Sequence, residues 1–237
     1  MVAPLMAQVQ PGEALAVQDG HGRVSLQGEA RREWPMGSLA KLVWLRLGGS
    51  EWERRDLRFP CTGTWQGMRC WNREGHGDVD FSKALRDSCN LAFLAWAREL
   101  VSTWARRDGE AAARARLEAA FRPFLGDRMP AGEGLPLLGT EWVGAGDLLR
   151  VTPAAMLAWL AEPTQAPVRT LCRRHLGDVD LKGWWIKTGT GAVEDDADAT
   201  SAWAAGSDGA RVMVLHLPRG RGKAEGLARF KALAERP

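Results

Sequence analysis

Tyrosine is absent from the 237 residues, and histidine is down to four. The aromatic content rests on twelve tryptophans and six phenylalanines. Core packing is the ordinary use of such side chains, with a ligand groove for some of them. No apolar run reaches the ~20 residues that a helix needs to cross a bilayer. A net charge of +3 is too small to argue for nucleic acid as a partner. Internal repeats, low-complexity tracts and linkers that would split the chain are missing too. One domain with a subdomain suits a chain of this size. A complete secretory signal is lacking. Residues 1–7 read as the tail of one, with small Ala7 before a cleavage point, or as an ordinary irregular start.

Cysteine is scarce: Cys61, Cys70, Cys89 and Cys172. Cys61 and Cys70 bracket a short glycine-containing loop, which suits a local disulfide in an oxidising compartment. Zinc held by Cys61, Cys70 and His76 is the rival, although that spacing matches no common zinc pattern. No metal ligand or cofactor is assigned. Cys89 and Cys172 read as small buried apolar groups.

What is present in strength is a set of three short motifs in one order. They are Ser38-Leu39-Ala40-Lys41, Ser88-Cys89-Asn90 and Lys187-Thr188-Gly189-Thr190. Each alone is commonplace, and the set carries the reading. Serine is a poor nucleophile until a base takes its proton. Residues i and i+3 share a helix face, so Lys41 places its amine beside the Ser38 hydroxyl. Apolar Leu39, Leu42 and Val43 desolvate that amine, and the second cation Lys187 pushes its pKa the same way. Gly189 lets a strand come close to a ligand. The carboxylate run Glu194, Asp195, Asp196 and Asp198 reads as a solvated loop rather than a metal site, and Gly75-His76-Gly77 as structural.

The patterning around the motifs sets the fold. Two strands, 15–18 and 23–27, flank a turn. A helix runs from 38 to 47 and stops at Gly48-Gly49. Helices are expected at 82–87, 91–106 and 110–121, and an irregular stretch at 123–146. Thr152-Pro153 caps a helix to 161. Strands at 181–190, 200–206 and 211–217 and a helix at 223–235 close the chain. The order gives an α+β fold: an antiparallel sheet of about five strands flanked by helices. A mainly helical subdomain is inserted at roughly 48–178.

The chain resembles the penicillin-recognising serine acyltransferases, and within them the transpeptidase domain of class B penicillin-binding proteins. The likeness extends beyond the triplets to Cys61-Thr62-Gly63, Cys70-Trp71, Gly75-His76-Gly77 and Ala84-Leu85 before the second motif. It continues in Val143-Gly144-Ala145-Gly146-Asp147 with Val151-Thr152-Pro153, and in Trp184-Trp185-Ile186 with Ala202-Trp203. The resemblance implies an acyl-Ser38 intermediate formed on peptidoglycan stem peptides or β-lactams. Lys41 is then the base, Ser88 and Lys187 the proton relay, and Asn90 the holder of the acyl-side amide. Lys187, Thr188, Gly189 and Thr190 bind the substrate carboxylate from a solvated cleft. The backbone N–H groups of Ser38 and Thr190 form the oxyanion hole. An extracytoplasmic location follows from the same resemblance. Two alternatives remain open. One is a class D-type β-lactamase, where an apolar residue usually stands at the Asn90 position and the Lys41 position is a carboxylated lysine. The other is a non-hydrolytic sensor of β-lactams or muropeptides.

Overall fold

The computed structural model describes residues 9–128, 134–193 and 196–235. Residues 1–7, read above as a signal remnant, and Glu194 and Asp195 of the acidic run lie outside that set. The chain opens with a hairpin, β1 (Ala14–Gln18) and β2 (Val24–Gly28). Its turn is held by Asp19, whose carboxylate accepts the backbone N–H groups of His21 and Arg23, each at 2.9 Å. This is the local bonding that makes aspartate a turn residue.

After β3 (Trp34–Pro35), a 3₁₀ turn at Gly37–Leu39 leads into α1 (Ala40–Arg54). The helix does not stop at Gly48-Gly49. A Cβ on Gly48 would meet Leu100 at 2.7 Å, and one on Gly49 would meet Leu171 at 2.5 Å. The two glycines are there for close helix packing, and the helix tolerates them because burial outweighs their backbone entropy cost of ~1 kcal/mol each.

Four short strands follow: β4 (Arg58–Cys61), β5 (Thr64–Trp65), β6 (Met68–Arg69) and β7 (Gly77–Asp80). Then come α2 (Phe81–Arg86), α3 (Asn90–Asp108) and α4 (Glu110–Leu125), the last extending past Pro123. The stretch expected to be irregular contains a 3₁₀ turn at Thr140–Val143 and leads to β8 (Arg150–Val151), which pairs with β3. In α5 (Pro153–Ala161) the Thr152 hydroxyl accepts the N–H of Ala155 at 2.9 Å, the cap read from the sequence. A further helix, α6 (Ala166–Leu176), was not anticipated. The strands β9 (Trp185–Val193), β10 (Asp196–Ser207) and β11 (Val212–Leu217) and the helix α7 (Leu227–Ala234) end the fold. The expected strand start at 181 moves to 185, because Asp178 and Gly183 form a turn in which the Gly183 N–H donates to the Asp178 carboxylate at 2.5 Å.

The sheet is antiparallel throughout, in the order β2-β1-β11-β10-β9. Its two faces are both covered, as the alternation along β11 shows. Met213, Leu215 and Leu217 pack with Phe230 and Leu233 of α7, while Val214 turns to the larger core with α1, α3 and α5. Within that core, Trp52 meets Phe81, Phe93 and Trp96, with ring centroids 5.9–6.5 Å apart. The site lies where this core meets the edge strand β9.

Candidate active site

The three motifs converge on one cleft of about 740 Å³, lined by Ser38, Ser88, Asn90 and Thr188 through Thr190 among others. Each part comes from a different element. Ser38 sits in the 3₁₀ turn just before α1, and Lys41 lies in the first turn of that helix. Ser88 lies between α2 and α3, Asn90 begins α3, and Lys187 through Thr190 belong to β9.

Close backbone approaches set the spacing. At Gly37 (φ +54°) a Cβ would lie 2.5 Å from the carbonyl oxygen of Thr190. At Gly144 (φ +101°) it would lie 1.9 Å from the carbonyl oxygen of Gly37 and 2.8 Å from the amide nitrogen of Ser38. Side chains at these positions would push β9 and the 140s loop off the nucleophile turn. Ser88 itself has φ +55°, an unfavourable region for a residue with a side chain. Its backbone is held from outside by Trp71, whose indole N–H is 3.2 Å from the carbonyl oxygens of both Asp87 and Ser88.

Lys41 is fully buried. Its amine lies 3.0 Å from Ser38 Oγ, 2.7 Å from Asn90 Oδ1 and 2.8 Å from the carbonyl oxygen of Val143. Burial pushes its pKa down to about 7 from the usual lysine value, with Cys89 and Cys70 acting the other way. Val143 supplies an acceptor through its backbone, so its residue type gave no sign of it. Its 3₁₀ turn is fixed to α1, because the Trp44 indole N–H donates to the Trp142 carbonyl at 2.7 Å.

Lys187 does not face a solvated cleft. It is 1% exposed, and its amine donates to Ser88 Oγ and, at 2.7 Å, to the carbonyl oxygen of Thr188. Desolvation lowers its pKa well below the usual value, and the charges of Lys41 and Lys223 push the same way. The more accessible cations on the cleft are Arg69, Arg221 and Lys223. Lys223 is placed by Asp87, 3.1 Å away, and the N–H of neighbouring Gly222 donates to Thr190 Oγ1 at 3.0 Å. The turn carrying Gly222 and Lys223 had not been assigned to the site from the sequence.

All four cysteines are free thiols, so Cys61 and Cys70 are unbridged. A third thiol, Cys89, and the His76 ring share their space. A hydrogen bond with Cys89, aided by backbone N–H groups of Asn90 and Asn72, pulls the Cys70 thiol below the usual cysteine value, and Cys89 is pushed up. His76 faces these thiols and is not among the residues lining the cleft. Cys172 stands apart, fully buried, with its thiol pushed up to about 12 by desolvation.

No protein-family model matches the chain, and no curated protein does. Solved structures do match. Penicillin-binding protein PBP2 of Pseudomonas aeruginosa, in complex with WCK 5153, aligns with 95% of this chain and 70% of its own at 14% identity and a TM-score of 0.58. PonA1, a penicillin-binding protein of Mycobacterium tuberculosis, aligns with 99% of this chain and 80% of its own at 16% identity and a TM-score of 0.60. The class D β-lactamase OXA-427 aligns with 94% of this chain and 97% of its own at 20% identity and a TM-score of 0.56. The chain therefore has the fold shared by penicillin-binding transpeptidase domains and serine β-lactamases. No helix among the described residues is long and apolar enough to cross a membrane.

Proposed function

We propose that this chain is a penicillin-binding serine D,D-acyltransferase. It is read as a transpeptidase or carboxypeptidase acting on peptidoglycan stem peptides outside the cytoplasm, and as a target of β-lactam acylation. The observation that carries the reading is the buried amine of Lys41 beside Ser38 Oγ, with acceptors on its other sides. A neutral amine has two N–H bonds and one lone pair. With the N–H bonds directed at Asn90 Oδ1 and the Val143 carbonyl, the lone pair is left for the Ser38 proton.

The chemistry then proceeds in two halves. Ser38 Oγ attacks the substrate carbonyl as its proton passes to Lys41, and the carbonyl π electrons move onto oxygen. The N–H groups of Ser38 and Thr190 hold that oxyanion. As the tetrahedral species collapses, the C–N bond breaks and the departing amine takes a proton through Ser88, which Lys187 contacts. An amine or a water then attacks the acyl-Ser38 ester, and Ser38 regains its proton. Thr188 and Thr190 with the nearby cations suit the substrate carboxylate.

The contacts of Lys41 favour this over a class D-type β-lactamase. A carboxylated lysine would bring its own anionic oxygens against the Val143 backbone carbonyl, a fixed acceptor that repels it, and would need the Asn90 amide to turn its N–H groups inward. Intact-mass spectrometry after addition of a penicillin, followed over time, tests the proposal. A long-lived adduct of the whole drug is the expected result. Rapid return to the parent mass with drug hydrolysis would favour the β-lactamase, and no adduct would overturn both.

A further inference from the structure

Behind the second motif lies a second chemical cluster. We propose that Cys61, Cys70, His76 and Cys89 bind one zinc ion in a closed, four-coordinate structural centre. The four ligand atoms all lie within 4.8 Å of one another. His76 Nδ1 is 3.5 Å from Cys61 Sγ and 3.6 Å from Cys70 Sγ. Zinc bonds of ~2.3 Å to sulfur and ~2.05 Å to nitrogen, set at the tetrahedral angle, put those atoms ~3.6 Å apart. One ring nitrogen with a single lone pair or a single proton cannot serve two thiols at once, whereas one ion between them satisfies both. Three thiolates with an imidazole are a zinc donor set, and not one for magnesium or calcium.

The surrounding chain folds back on itself so that these groups come together, with Trp65 and Met68 packed on the main core beside them. Between Cys61 and Gly77 the regular structure amounts to two strands of two residues each. The loop folds back tightly at Gly63 (φ +90°) and Gly75 (φ +85°). A Cβ on Gly63 would lie 2.1 Å from the Arg73 carbonyl oxygen, and one on Gly75 the same distance from that of Cys61. The N–H of Cys70 closes the turn onto the Gly63 carbonyl at 2.8 Å. Cys61, Cys70 and Cys89 are at most 4% exposed. An ion there ties the loop directly to the start of α3.

The position of the centre gives it a purpose. Cys89 stands between Ser88 and Asn90, and Trp71, next to Cys70, donates to the carbonyls that hold Ser88 in its unfavourable conformation. With all four positions taken by protein, the ion acts by placement and has no open site for substrate. Only this consequence rests on the acyl-serine reading; the metal content does not.

The test uses the full chain, loaded with zinc under reducing conditions, freed of excess metal and assayed by elemental mass spectrometry. One zinc per chain is expected, lost in Cys61→Ser and in His76→Ala and retained in Cys172→Ser. Where a variant folds poorly, the cobalt-loaded parent serves instead, and an intense thiolate-to-cobalt charge-transfer band is expected. Removal of the ion should slow penicillin acylation by roughly tenfold or more. Less than about a tenth of an equivalent of zinc on fully reduced protein, or full retention in Cys61→Ser, would overturn the site. A chain that binds zinc but takes no penicillin supports the metal centre and counts against the acyl-serine reading. A chain that takes penicillin and binds no zinc overturns the centre alone.

Discussion

Replacing Lys41 with methionine separates what its burial does for catalysis from what it costs the fold. Its pKa falls from 10.5 to about 7 because the amine is removed from water. At pH 7 an ordinary lysine is neutral in ~3 molecules per 10,000, and Lys41 in about half, a gain in available base of roughly a thousandfold. Parental acylation should therefore rise about tenfold per pH unit up to pH ~7 and level off above it. Lys41→Met should lose about a thousandfold or more at the plateau, and with it this limb.

The stability effect has a definite sign. Between pH ~7 and ~10.5 the unfolded chain holds a proton on Lys41 that the folded chain does not, so stability rises with pH across that window. Below it both states are protonated and the fold bears the full penalty. Above it neither is protonated and the penalty is gone. A shift of about 3.5 units sets an upper scale of ~5 kcal/mol for that rise, which Lys41→Met should lack. Urea unfolding of both proteins across this range, beside rates with a fluorescent penicillin, reads both quantities. Acylation that is flat from pH ~5.5 to ~8.5, or parallel stability profiles for the two proteins, would refute the reasoning.

Lys187→Ala should slow acylation by about a hundredfold or more with the far-ultraviolet circular dichroism retained, since it removes the amine that holds Ser88 Oγ. Asn90→Leu removes an acceptor that favours the charged form of Lys41, so the rising limb of the acylation profile should move to lower pH. Gly144→Ala should unfold at lower urea and acylate far more slowly than the parent, because its Cβ would sit 1.9 Å from the Gly37 carbonyl oxygen. At Ser88, φ +55° suits glycine, so urea midpoints should place Ser88→Gly above Ser88→Ala by ~1 kcal/mol.

The sequence was most legible where chemistry and local structure coincide. The i, i+3 spacing of Ser38 and Lys41, the Asp19 turn and the Thr152 cap are each short-range devices, and each has the expected local geometry. What could not be read depends on partners far along the chain. Gly48 and Gly49 look like a helix stop until Leu100 and Leu171 are seen against them. The helix α6, not anticipated from the sequence, carries Pro167 in its first turn, where a proline loses nothing. Val143 enters the site through its carbonyl, which every residue has. The burial of Lys187 depends on α6 packing against β9 and on Ser88 meeting its amine, partners far along the chain, so a charged residue in a strand gave no hint of it.

The central claim is that the buried Lys41 makes Ser38 the nucleophile of this cleft. The most direct measurement is peptide mapping of the protein after reaction with a penicillin, by tandem mass spectrometry. The claim predicts one drug-derived acyl group on Ser38, none on Ser88, and none anywhere in Ser38→Ala. An adduct on any other residue, or one that persists in Ser38→Ala, would contradict it.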